Sequence, residues 1–181
     1  MKIKSGYWLM TLIFLLVSAN INAEEKIDDQ LFKVVRTGDL AQLEKLLAQN
    51  VKVNYLNQRG FTPLIMAAYY GHESVIDRLS QAGAEVCAVD KKGSNAMMGA
   101  AFRGHIHVIK WMLKNSDCNI NHRNYAGQTT LMMAALFGRS DIVDLLLEHG
   151  ADPEVKDVMG NQAASLAAGQ GQKVLAEKLT M

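Results

Sequence analysis

Two series of glycines keep one interval along this chain. Gly60, Gly93, Gly127 and Gly160 lie 33, 34 and 33 residues apart, and Gly71, Gly104, Gly138 and Gly171 repeat those intervals. A fixed period of about 20–50 residues is the mark of a stacked repeat architecture, in which each unit contacts only its neighbours. Apolar residues at helical spacing follow every second-series glycine: Val75-Ile76-Leu79, Val108-Ile109-Met112-Leu113, Ile142-Val143-Leu146, and Val174-Leu175-Leu179. Upstream, Leu31-Phe32-Val34-Val35, then Gly38, then Leu40-Leu43-Leu46-Leu47 fits the same frame without the opening turn. The pattern predicts an all-α solenoid of about five stacked helix-turn-helix units joined by short β-turn loops. The units run at about 28–56, 57–89, 90–123, 124–156 and 157–181.

Local chemistry supports that division. The pairs Ala67-Ala68, Ala100-Ala101, Ala134-Ala135 and Ala167-Ala168 make the first helix of each unit narrow, so neighbouring units can approach closely there. The second glycine series falls where that helix ends and a left-handed residue is wanted. Gly83, Gly150 and Asn50 are expected to end second helices in the same way. Polar outer faces are expected at the ends of the stack, from Glu24, Glu25, Lys26, Asp28 and Asp29 at one end and Glu177, Lys178 and Thr180 at the other. Composition agrees with a buried core: 49% of residues are hydrophobic, too many for a disordered chain. Lys+Arg 19 against Asp+Glu 18 lacks the basic excess of a nucleic-acid protein.

With these units aligned, the chain resembles the ankyrin repeat family. The likeness rests on Thr62-Pro63-Leu64 followed by Ala67-Ala68 and Gly71-His72, and on Leu145-Leu146-Leu147 followed by Gly150-Ala151-Asp152. Asn57, Asp90, Asn124 and Asp157 each precede a timing glycine by three residues, where the family usually has Asp. Two features depart from the pattern. The family's turn-closing His is replaced by Ile65, Met98, Met132 and Ser165, and its Pro is kept only at Pro63. The resemblance implies a non-enzymatic protein-interaction scaffold that docks a partner on the concave face formed by loop tips and first-helix ends. The partner-binding positions it implies are Arg59, Phe61, Tyr69, Tyr70, Lys91, Lys92, Phe102, Arg103, Tyr125, Leu136 and Phe137, with Gln58, Ser94, Gln128, Val158, Met159 and Asn161 beside them. Aromatic residues and Arg grouped in this way match the composition of binding hot spots. The competing account is that Phe102, Leu136 and Phe137 only pack against neighbours.

Residues 1–23 read as a cleaved signal peptide. Lys2 and Lys4 precede the apolar run Leu9–Val17, small residues lead to Ala23, and Glu24 opens a polar stretch. The run is about half the ~20 residues needed to span a bilayer. Export to a periplasm is the expectation, with secretion or an uncleaved anchor as alternatives. No Asn-x-Ser/Thr acceptor occurs in the chain, which favours a bacterial setting.

Catalytic or metal chemistry finds little support. His105 and His107 are two apart, not the i,i+4 of a helical metal pair, and are expected to point in different directions; His72 and His105 recur at one place in successive units, which fits a structural role. Asp141 and Asp144 read as a solvated helix start. No nucleophile elbow or phosphate-cradling loop is present, so no enzyme, cofactor or metal is expected. A small-molecule or redox role, heme- or oxidant-linked, is the alternative suggested by the ten Met residues, although Met97, Met98, Met132 and Met133 fall at core-facing positions. Cys87 and Cys118 leave two readings open. Equivalent positions in stacked units are ~10 Å apart, beyond the roughly 7 Å a disulfide tolerates. Cys118, however, is out of step, in the one unit with an extra residue. The expected partner is an exported protein bound by a monomer, with no nucleic acid and no stable membrane insertion.

Overall fold

The computed structural model describes residues 29–180, so the expected signal peptide lies outside the described residues. The described chain is all-α, with ten helices and no strand. A first helical stretch, α1, covers 29–37 and is followed by α2 (Leu40–Leu47). Then come the hairpins α3 (Pro63–Tyr70) and α4 (Glu73–Gln81), α5 (Ala96–Arg103) and α6 (Ile106–Asn115), α7 (Thr130–Leu136) and α8 (Ser140–Glu148), and α9 (Ala163–Gly169) and α10 (Lys173–Lys178). From α2 on, every helix has only 6–10 residues, below the ~12–15 at which isolated helices become marginal in water. Packing between units must therefore supply their stability.

That packing is uneven. The inner helices α3, α5, α7 and α9 lie close together along the stack, while α2, α4, α6 and α8 touch more sparingly. The cause is side-chain size. Ala67, Ala68, Ala100, Ala101, Ala134 and Ala135 are fully buried on the inner row, where longer residues would hold the backbones apart. Branched residues and Met fill the outer row: Val75, Ile76 and Leu79, then Val108, Ile109 and Met112, then Ile142, Val143 and Leu146, all fully buried. Close inner and wide outer spacing bends the stack around its inner helices. One continuous apolar core runs from Leu31 to Leu179.

Each finger loop is held by one Asx side chain. Oδ1 of Asn57 accepts N–H groups of Arg59 and Phe61, both at 3.0 Å. Asp90 does the same for Lys92 and Ser94, Asn124 for Ala126 and Gln128, and Asp157 for Met159 and Asn161. Only the acceptor oxygen is needed, which explains why Asn and Asp serve alike. The fingers also pair with one another: the N–H groups of Lys91, Tyr125 and Val158 donate to the carbonyls of Gly60, Lys92 and Ala126. The loss of the family's turn-closing His does not cost α3, α5 and α7 their N-caps. Thr62, Asn95 and Thr129 still accept from the N–H groups of Ile65, Met98 and Met132 at 3.0–3.3 Å.

Both glycine series do more than turn the chain. All of them have positive φ, between 66° and 86°. In addition, a residue of the next unit lies on most of them. The His72 ring covers Gly38, and a Cβ there would stand 2.5–2.9 Å from ring atoms; His105 covers Gly71 at 2.7–2.9 Å. Arg139 covers Gly104, Gln172 covers Gly138, the Lys91 stem covers Gly60 and the Tyr125 ring covers Gly93. Gly83 has the same left-handed backbone, φ 87°, but open space around it. This contrast separates backbone strain from lost stacking. Gly83→Ala should cost only the left-handed penalty, ~1–2 kcal/mol, whereas Gly71→Ala must also displace His105 and should cost more. Urea unfolding of the two variants checks this, and equal losses would remove the stacking role.

Candidate functional site

The inner face is built where α3, α5 and α7 run into their terminal glycines. Tyr69 and Phe102 occupy one position in successive units, and their rings stack at 5.8 Å and 20°. Leu136 holds that position in the next unit and is half-buried. Phe137, the residue after α7, supplies the third ring instead, edge-on to Phe102 at 4.4 Å. Tyr70 packs edge-on to Tyr69 at 5.4 Å and lies over His72 at 6.4 Å. Phe102 and Leu136 are thus half-buried among neighbours, while Tyr70 and Phe137 keep 37% and 39% of their surface exposed. The face is both packed and open, so the packing account and the binding account describe different edges of the same ladder.

Two guanidinium groups lie over this aromatic row. Arg103 sits 5.1 Å above the Tyr69 ring and Arg59 sits 5.4 Å above Phe61. Arg59, Phe61, Met66, Tyr69 and Tyr70 enclose a cleft of ≈ 90 Å³. Lys91 and Lys92 are exposed at the next finger tip, and the Lys91 ammonium donates to the Gln58 carbonyl at 3.4 Å. Tyr125 is 74% exposed on the third finger, apart from the ring ladder, and Val158 and Met159 are 71% and 83% exposed on the fourth. The structure thus gathers Arg59, Phe61, Tyr69, Tyr70, Phe102, Arg103 and Phe137 into one patch and leaves Tyr125 beside it. Sequence reasoning missed Met66 as the cleft floor and His72 as the ring beneath Tyr70. The recurrence of His at one repeat position was the available signal for the latter.

The histidines are spent on backbone. Nε2 of His72, His105 and His107 donates to the carbonyls of Arg36, Tyr69 and Gly71, each in the preceding unit, at 2.9–3.1 Å. The expectation that His105 and His107 point apart is corrected: both reach back one unit, and their rings lie 5.8 Å from each other. They converge because the carbonyls they seek sit two residues apart on the same turn. Among the described residues no three His, Cys, Asp or Glu side chains are grouped to hold a metal. Asp141 accepts from the N–H of Ile142, and Asp144 pairs with Lys178. Met97, Met98 and Met132 are at most 2% exposed, as core filler would be.

Cys87 and Cys118 are joined by a disulfide, with Cα atoms 5.3 Å apart. The bond links the loops that follow α4 and α6. Cys118 precedes its finger glycine by nine residues and Cys87 by six, so unequal register brings them within reach where equivalent positions would be too far. Closing a loop of this length stabilises a fold by roughly 2–4 kcal/mol.

A family model for ankyrin repeats (3 copies) matches residues 31–124, 67–157 and 115–179. The chain is similar to YahD of Escherichia coli (strain K12), whose name describes an ankyrin repeat protein: 26% identity over 180 residues covers 78% of this chain and 90% of that protein. It is also similar to the ankyrin repeat and KH domain-containing protein mask-1 of Caenorhabditis elegans, at 36% identity over 114 residues. That match takes in 62% of this chain but 4% of the larger protein.

One titration marks the inner face. Burial holds the His105 imidazole below its ordinary pKa; the Tyr69 carbonyl opposes this, and the charges of His107, Arg103 and His72 add to it. The folded state therefore favours neutral His105, and the unfolded chain binds its proton more readily. The stability this confers is present above the unfolded pKa of about 6.5 and is lost as pH falls through the lower folded value. Thermal melting followed downward from neutral pH should show a fall that His105→Gln reduces. An unchanged pH profile in that variant would assign the fall elsewhere.

Proposed function

The chain belongs to the ankyrin repeat family, which generally mediates protein–protein interaction, and we propose that it is a non-enzymatic module that docks a protein partner on its inner, concave face. The observation that carries this reading is the ladder Tyr69–Phe102–Phe137, which crosses three units and presents exposed ring edges beside Arg59 and Arg103. Partly exposed aromatic and Arg side chains around a small cleft are the usual anchors of protein interfaces. The setting proposed is a periplasm, reached through the N-terminal segment 1–23, and the partner is itself exported. The Cys87–Cys118 disulfide supports that compartment, since such bonds persist where the surroundings are oxidising. In this reading the protein acts as a monomer that inhibits, neutralises or helps assemble its partner. The non-enzymatic part is supported by the histidines and acids that hold backbone and loops.

The test is partner capture from a periplasmic extract with the wild-type chain and with Tyr70→Ala combined with Phe102→Ala. Loss of capture by about tenfold or more is expected, since central interface anchors contribute ≥ ~2 kcal/mol. The helical circular-dichroism signal should be retained. Capture at wild-type strength would place the docking surface elsewhere.

A further inference from the structure

Among the described residues, the cations of the inner face are not matched by anions. Arg59, Lys91, Lys92 and Arg103 stand on the first two fingers and at the end of α5, within segments 57–61, 90–94 and 102–104. Those segments hold one carboxylate, Asp90, which is 8% exposed and accepts the N–H groups of Lys92 and Ser94. The ion pairs found among the described residues, Arg78–Glu44 and Lys178–Asp144, join outer helices instead. The whole chain carries almost equal numbers of basic and acidic residues, so this excess is local. Neither the Arg59 nor the Arg103 guanidinium makes a hydrogen bond or ion pair among the described residues; each instead lies over a ring. A guanidinium placed over a ring keeps its in-plane N–H groups available for a carboxylate. Tyr69 lies beneath Arg103 and also lines the cleft that Arg59 helps to close, so an apolar socket sits between two unpaired cations.

We infer that this end of the face takes an extended acidic segment of a protein partner, with one apolar side chain in the cleft and carboxylates on Arg59 and Arg103. The inference rests on the docking function proposed above and names the chemistry of its partner. Nucleic acid fits less well, because the chain as a whole lacks the basic excess that phosphate backbones call for. The face changes character along the stack. Tyr125, Phe137, Val158 and Met159 are exposed beyond the cationic end, which sets a direction for the partner: acidic over α3 and α5, apolar over the later fingers.

Fluorescence anisotropy on the full chain tests this with a short labelled peptide of alternating glutamate and phenylalanine. The controls are the same peptide with glutamine for glutamate, and a labelled single-stranded oligonucleotide. The glutamate peptide should bind about tenfold tighter than its glutamine counterpart, a gap that closes with added salt or in Arg59→Gln combined with Arg103→Gln. Equal binding of the two peptides, an arginine variant that binds as wild type, or preference for the oligonucleotide would overturn the inference. Its failure is distinguishable from failure of the docking function. Capture that depends on Tyr70 and Phe102 but not on Arg59 and Arg103 defeats only the acidic segment, while capture indifferent to all four defeats both.

Discussion

No hairpin in this chain can stand alone, and the contact that lets it stand is a side chain of one unit resting on a glycine of the unit before. His72 on Gly38, His105 on Gly71, Arg139 on Gly104 and Gln172 on Gly138 repeat this along one edge of the stack, and Lys91 on Gly60 and Tyr125 on Gly93 repeat it along the fingers. Each glycine answers two demands at once. Its positive φ ends a helix or turns a finger, and its missing Cβ leaves the floor on which the next unit sits. The covering side chains then reach further back, as His72, His105 and Arg139 bond the carbonyls of Arg36, Tyr69 and Phe102. Neighbouring units are thereby fixed in spacing and angle as well as buried against each other.

Function follows from what this scaffold leaves unassigned. Core positions are taken by Ala, Leu, Ile, Val and Met, and turn positions by Gly, Asx and caps. The last one or two residues of each inner helix and the outward side of each finger tip are less constrained, even where a stem such as that of Lys91 or a ring such as that of Tyr125 also covers a glycine. Because units repeat at fixed spacing, residues at those positions line up: Tyr69, Phe102 and Phe137 become a ladder, and Arg59, Lys91, Lys92 and Arg103 a cationic margin. A family that shares the scaffold can thus present different faces, and fold by itself does not name a partner.

The architecture was legible because it is written within each unit. The 33- and 34-residue intervals, the alanine pairs and the glycine caps are local signals, and the left-handed turns fall on the glycines and on Asn50. What resisted reading lies between units. Leu136 keeps the register of Tyr69 and Phe102, yet Phe137 makes the ring contact, because a side chain just past the helix end can swing back to the neighbouring unit. His105 and His107 were separated by helical spacing, although both follow carbonyls of the preceding turn. The cysteines could be judged only once the loop after α6 had a path. Periodicity predicts which positions meet across units, and it does so poorly wherever a unit gains a residue or a side chain leaves its register.

A double-mutant cycle at the first interlock is the most direct test of how the stack holds together. Gly38→Ala, His72→Ala and the pair should be compared by urea unfolding. If the imidazole rests on the glycine, removing it frees the space a new methyl needs, and the pair should be less destabilised than the sum of the singles by on the order of 1 kcal/mol. Additive losses would mean that the two residues do not share a surface and that the units are held by some other contact.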